Sequence, residues 1–527
     1  MSESLTIPRG TFLGHPRGLF VLFLAEACER FSFYGMRALL LFYLVEHFLF
    51  ADDSSYEIWA VYGAMVYFMP VVGGFLADRY LGFKRAVIFG AILLCVGHSL
   101  MAIEGSPAYL AEGVVVRDPI GLNAMFFALS SIVLGVGFLK SAISNLVGQL
   151  YEQNDPRRDQ GFTIFYMGIN LGALIATIVC GYLGRTYGWA YGFGLAGIVM
   201  LLGLVVFVLG QKHFVGLGGV PRPHLDNQRI FGLTRCWWVY VSAIFMVIVT
   251  RYLLEYHQSV QYVLMILSVV SVVGLLTWVW LKRTTEELQR IVVVLLLIVV
   301  SPIFWSLFEQ FSSSMKLFVD RNMDLTFWFF EIDAAQIDFM NPLFIICLAP
   351  LFAMLWDCLS KRGSEPSTPM KFALAILQAG LGAMVLGIGC LFADDSANVA
   401  FLWLVLTFLL FTTGELCISP VGLSMVTRFT MTEILGVMMG IWFLAASVGS
   451  LFAGWLAKLA SVERVAGQDL NPVDTLPVYQ EAFFIYGTIG VVAGLVLMLL
   501  VPIARKYLRE GEVLETKPQN LGITQEC

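Results

Sequence analysis

The stretch GLFVLFLAEACERFSFYGMRALLLFYLVEHFLF, Gly18 to Phe50, decides the fold. It is longer and more apolar than the ~18 residues needed to cross a bilayer, yet Glu26, Glu29, Arg30 and Arg37 interrupt it. In a helix, offsets of three, four and seven residues line these four up with Tyr34 along one stripe. An ionisable side chain exposed to hydrocarbon costs a few kcal/mol or more, so the stripe must face the inside of a helix bundle. One such helix cannot cover its own stripe, and the rest of the chain must supply further spans.

It does so repeatedly. Of 527 residues, 58% are hydrophobic and 13% charged, with a mean hydropathy of +0.80. A soluble chain of this size could not hide so much apolar surface. Apolar runs fall near 18–50, 56–77, 86–103, 120–150, 160–183, 190–210, 236–253, 259–281, 291–318, 341–356, 371–393, 398–427, 434–457 and 480–504. They are continuously apolar rather than alternating, which selects helices over a barrel. The expected fold is therefore all-α and integral to the membrane, with 14 transmembrane helices. A net charge of −6 without a dense Lys/Arg cluster excludes nucleic-acid binding. The nine cysteines lie mostly in apolar runs, without metal or disulfide spacing. The first run is too long for a cleaved signal peptide and is expected to stay as a span.

The distribution of Lys and Arg tests that count. With fourteen spans, 22 basic residues fall on one side. The opposite side has seven: Arg117, Arg185, Arg251, Lys316, Arg321, Lys458 and Arg464. A missed span would scramble this asymmetry, so both termini are expected in the cytoplasm. A polar stretch from Gln211 to Arg235 divides the chain. The layout reads as a six-helix bundle (1–210), a cytoplasmic linker with an inserted transmembrane helix pair (211–290), a second six-helix bundle (291–510) and a cytoplasmic tail (511–527). FYMGINLGALIATIVCGYLG from Phe165 and IWFLAASVGSLFAGWLA from Ile441 echo one another, each an aromatic opening followed by small residues. Repeats of this kind suggest a transporter with its site between halves.

Beyond the first span, Lys140, Glu309 and Glu415 also lie inside apolar runs. A rise of ~1.5 Å per residue from each cytoplasmic end puts Arg37 and Glu309 roughly 28 Å in, Lys140 about 15 Å and Glu415 about 18 Å. The depths predict two cross-bundle pairs, Arg37 with Glu309 on the outer side and Lys140 with Glu415 lower down, which could gate alternating access. The competing reading is a set of permanent salt bridges. Apolar packing often stabilises as well as buried ions do, which weighs against it. His98, Cys28 and Cys417 read as packed or locally satisfied core residues.

At EACERFSFYG, Glu26 to Gly35, the sequence resembles the proton-dependent oligopeptide transporter family of the major facilitator superfamily. GGFLADRYLGFKR from Gly73, FYMGINLGAL from Phe165, FWSLFEQFSSSMKLFVDRNMD from Phe304, NPLFIICLAP from Asn341, GELCISPVGLSMVT from Gly414 and GVMMGIWFLA from Gly436 extend the likeness over nearly the whole chain. The inserted helix pair implies a bacterial member, located as a multi-pass protein in the inner membrane. The resemblance implies proton coupling through Glu26, Glu29, Arg30, Lys140 and Glu309. It implies a peptide carboxylate facing Arg30, Tyr34, Lys140 and Asn170, with Arg37 also in the binding site, and a peptide amine facing Glu309, Asn341 and Glu415. Tyr67, Trp305 and Trp442 would wall the side-chain pockets. Recognising charged ends, with adaptable aromatic walls between them, suits a ligand of variable side chains.

The chain is thus expected to be a proton-coupled symporter importing di- and tripeptides by alternating access. No cofactor beyond the coupling proton is expected, and the chain should act as a monomer in lipid. Three departures stand out: Phe33 where many members carry a second tyrosine, SAIS after Lys140 where Pro-Asn is more usual, and an unusually aromatic and acidic segment after Asp324, LTFWFFEID, for which the sequence offers no function. The alternative cargo is another small solute such as nitrate or a peptide-like drug. An intramembrane enzyme has no paired aspartates or Cys/His cluster in its favour, and a receptor would not need the Glu-x-x-Glu-Arg stripe.

Overall fold

The computed structural model describes residues 10–152, 155–221, 229–327, 330–431, 433–463 and 470–508. The expected tail, 511–527, and part of the linker, including Arg222, lie outside them.

The first six helices are α1 (Arg17–Phe42), α2 (Asp52–Leu76), α3 (Phe83–Met101), α4 (Pro119–Gln149), α5 (Arg158–Tyr187) and α6 (Trp189–Gly210). Local chemistry sets their limits. Asp118 caps α4, accepting from the Ile120 and Gly121 amides at 3.0 and 3.4 Å, with Pro119 in the first turn, where its missing N–H costs nothing. α1 packs on α5 and α6, α3 on α4 and α6, and α2 on α4. α7 (Arg235–Glu255) and α8 (His257–Lys282) follow, joined at Tyr256.

The second set comprises α9 (Thr285–Phe308), α10 (Ser314–Asn322), α11 (Met340–Lys361), α12 (Thr368–Cys390), α13 (Phe401–Phe429), α14 (Leu435–Ala457) and α15 (Pro472–Leu508). Thr284 and Glu287 form a capping box at the start of α9, satisfying two amide donors reciprocally. α12 packs on α15 and α13, while α9 packs on α14 and α15. Gly380 and Gly490 let α12 and α15 touch backbone to backbone, since a Cβ on either would collide with the other helix. Without a hydrophobic force between helices in lipid, such close approach is a main source of packing energy.

Among the described residues, thirteen helices are long and apolar enough to cross a membrane. α1, with 26 residues and a π-helical extension over Tyr43–His47, makes the fourteenth. Its charge, not its length, sets it apart. The expected run 291–318 is not one continuous helix. It breaks at Glu309–Ser312, a 3-10 turn, and at Ser313, with φ −126° and ψ −107°. The Ser313 hydroxyl donates to the Glu309 carbonyl at 3.1 Å, competing with helical bonding as short hydroxyls do, and Ser313 and Ser314 both donate to the Gln310 side-chain oxygen, at 3.3 and 2.5 Å. α4 runs unbroken through the unusual SAIS segment.

The two sets meet along α2 and α14, and where α5 meets α11 and the 3-10 turn Ala334–Phe339. Ser447 on α14 donates to the Ala64 carbonyl on α2 at 2.8 Å, and a Cβ on Gly454 would come within 2.5 Å of the Ala60 Cβ. This is the all-α, multi-span architecture expected from the sequence.

Candidate functional site

Between the halves lies a cavity of about 320 Å³. α1 contributes Glu26, Arg30, Tyr34 and Arg37, α2 contributes Tyr67, α4 contributes Lys140 and α5 contributes Asn170. From the other half come Trp305, Glu309, Asn341, Glu415 and Trp442. Of the residues expected to bind peptide or couple protons, Glu29 alone does not line the cavity. It is fully buried behind Arg30 and binds the Arg30 guanidinium through both oxygens.

Arg30 also lies 3.5 Å from Glu26, so two carboxylates share one guanidinium, and Glu26 keeps one buried oxygen with no partner. Phe33, in place of the more usual tyrosine, sits under Arg30 with its ring centroid 5.1 Å from the guanidinium carbon, a cation–π contact that needs no hydroxyl.

Arg37 crosses to the other half and pairs with Glu309. The break after α9 sets Glu309 at a helix end, and Tyr67 donates to its second oxygen at 3.4 Å. Arg37 also lies 4.7 Å from the Trp59 ring. The second predicted pair does not form: among the described residues Lys140 makes no ion pair with Glu415. The Lys140 ammonium instead lies 5.4 Å from the Tyr67 ring centroid, and Glu415 accepts from Asn341 at 2.9 Å. Asn341 donates to Thr412 as well, at 3.2 Å, which orients its amide.

Further bonds between the halves gather on the outer side. Arg321 holds Asp52 at 2.6 and 2.9 Å. Arg185 binds Asp320 and Asp333, each at 3.1 Å. Lys316, fully buried, reaches the Ala38 carbonyl at 3.2 Å and Asp338 at 2.6 Å. These bonds join the two halves on the outer side, while Lys140 and Glu415 stand apart across the cavity. The acidic part of the segment after Asp324 thus has a role, because Asp333 both caps the Ala334–Phe339 turn and engages Arg185.

Sequence reasoning missed Tyr166, Ser312 and Asp338 as cavity residues. Tyr166 was legible, lying one helical turn before Asn170 on α5. Asp338 was not, because it precedes the apolar run that begins at Asn341. His98 lies apart from the cavity. It packs on Gly197, but neither ring nitrogen has a hydrogen-bond partner, so it is packed and not locally satisfied.

A family model for the POT family matches residues 84–472. The chain is 35% identical to "Uncharacterized transporter YclF" of Bacillus subtilis, covering 96% of this chain and 97% of that protein. It is 33% identical to a "Di-/tripeptide transporter" of Lactococcus lactis subsp. lactis, with 94% and 97% covered, and 35% identical to "Peptide transporter YePEPT" of Yersinia enterocolitica, with 96% and 98% covered. A crystal structure of a peptide transporter POT in complex with sulfate superposes with a TM-score of 0.80 at 34% identity, covering 95% of this chain and 98% of that one. A POT family transporter in complex with 5-aminolevulinic acid gives 0.77 at 30% identity, with 94% and 99% covered.

Proposed function

Because this chain belongs to the POT family, we propose that it imports di- and tripeptides across the bacterial inner membrane, as a proton-coupled symporter rather than an enzyme. One observation carries the reading: the two walls of the cavity have opposite electrostatic character. On the first half, Arg30 and Lys140 face the cavity beside Asn170 and Tyr34. On the second, Glu415 is held by a neutral amide and, among the described residues, carries no ion pair. A zwitterion of peptide length would satisfy both walls, its carboxylate toward Arg30 and Lys140 and its amine toward Glu415 and Asn341. Tyr67, Tyr166, Trp305 and Trp442 supply apolar surface between those ends without demanding one side chain.

Support for proton coupling lies in the carboxylates that share cations. A proton on Glu309 cancels the charge that Arg37 binds and loosens the outer closure. A proton on Glu26 or Glu29 frees part of the Arg30 guanidinium for a ligand carboxylate. Cargo arriving from outside then allows Arg37 and Glu309 to pair again, and Lys140 parts from Glu415 as the inner side opens. Nitrate fits less well, since it offers nothing for Glu415.

The test is uptake of di-alanine and tri-alanine into proteoliposomes, with and without an imposed proton gradient. Accumulation is expected only with the gradient, and Glu309→Gln and Glu29→Gln proteins should lose it while still inserting normally. Gradient-driven accumulation that survives in both variants overturns the coupling scheme. Competition by nitrate but not by dipeptides overturns the cargo.

A further inference from the structure

The inserted helices contribute nothing to the cavity, yet they straddle the seam where the halves meet. α7 packs on α4 and on the cytoplasmic end of α2. Near its outer end Arg251 donates to Asn123 on α4 at 2.6 Å, and near its inner end Cys236 donates to the Tyr80 carbonyl at 3.4 Å. This helix belongs mechanically to the first half. α8 packs chiefly on α14 and α9. Its Gln261 accepts from Trp455 of α14 at 2.9 Å, and Arg283, just past its inner end, pairs with Glu433 ahead of α14. It belongs to the second half.

Glu57, at the outer end of α2, joins all three parts. Lys458, immediately after α14, binds one carboxylate oxygen. His257, the first residue of α8, faces the other with Nε2 at 2.7 Å. The Glu57 side chain is only 9% exposed, so water competes weakly for it.

We infer that the inserted helix pair is a gating element, which clamps the outer ends of the two halves together through the Glu57 junction and favours the outward-closed state. Opening outward must draw α2 away from α14. With α8 anchored to Trp455, that movement takes both Lys458 and His257 from Glu57 and pulls on the single-residue turn at Tyr256. Opening inward does neither, because α7 and α8 are joined only at their outer ends and separate like a pair of tongs. The inference rests on the alternating-access reading only in requiring the halves to part on the outer side, and the identity of the cargo does not enter.

The experiment measures that parting directly. Spin labels go on Ala51→Cys and Glu463→Cys, both exposed on the outer side, in full-length protein whose native cysteines are replaced, reconstituted in lipid nanodiscs. Two perturbations are compared with the parent: His257→Ala, and an insertion of about ten Gly/Ser residues after Tyr256 that leaves every side-chain contact in place. Loss of a hydrogen bond to a charged group should raise the ratio of wide to narrow distances about tenfold, and the insertion should raise it in the same direction. Parent-like distance distributions in both variants overturn the inference. Failure of the parent to accumulate di-alanine would sink the cargo assignment and leave the distance result standing.

Discussion

Asn341 holds Glu415 and Lys316 holds Asp338, and these two partnerships have different consequences. Asn341 is a neutral donor at the cavity wall, and Asn341→Leu leaves Glu415 without its 2.9 Å bond. A hydrogen bond to a charged group is worth about 1.5–3 kcal/mol, so KM for di-alanine should rise about tenfold or more, with little change in thermal midpoint. Lys316 is buried against Asp338, and Lys316→Met strands a carboxylate. Breaking one side of a buried pair costs about 3–5 kcal/mol, so the midpoint should drop by several degrees, and adding Asp338→Asn should recover most of it. A thermal scan of the single and double variants in detergent decides this. Residue-scale legibility follows the same division. Arg37 and Glu309 could be matched because rise per residue equates depth along two helices. The same arithmetic brought Lys140 level with Glu415 but could not say which pair this state keeps. Asp338 was beyond reach because a polar residue just outside an apolar run looks like any loop residue.

Among the helices, existence was readable and continuity was not. Every expected span corresponds to a helix in the described residues, since hydrocarbon thickness imposes a length that composition alone reveals. The break at Glu309–Ser313 was easy to read through, because Phe304 and Leu307 before it and Leu317, Phe318 and Val319 after it are all apolar. Its cue was chemical, three consecutive serines able to bond the local backbone. The last helix begins at Pro472, ahead of the expected 480, because the polar residues of its first turns still form helix at the membrane surface. Close helix contacts give a sharper prediction. Gly454 sets the spacing of α14 from α2 where a Cβ would approach the Ala60 Cβ. Gly454→Val forces these helices apart, and overpacking of this kind costs about 1–3 kcal/mol. The expected result is a lowered thermal midpoint and reduced di-alanine uptake, whereas Gly436→Val, which has open space, should change neither measurably.

Across the whole molecule, bonding between the halves is lopsided. Asp52 with Arg321, Glu309 with Arg37, Asp333 with Arg185 and Glu57 with Lys458 all join them on the outer side, while Lys140 and Glu415 stand apart below. A cavity bounded this way should be reachable from the cytoplasm. Ser419 lines it one helical turn inward of Glu415, so Ser419→Cys should react with a membrane-impermeant maleimide applied to inside-out vesicles and resist the same reagent in right-side-out vesicles. Glu309→Gln in that background removes the charge holding Arg37. The balance should then move toward the outward-open form, with cytoplasmic labelling slowed and external labelling quickened by about tenfold, since each tenfold change in population needs only about 1.4 kcal/mol. Opposite movement of the two rates is what distinguishes a gate from a local contact. A bond that merely stabilised the fold would, when removed, speed labelling from both sides or neither.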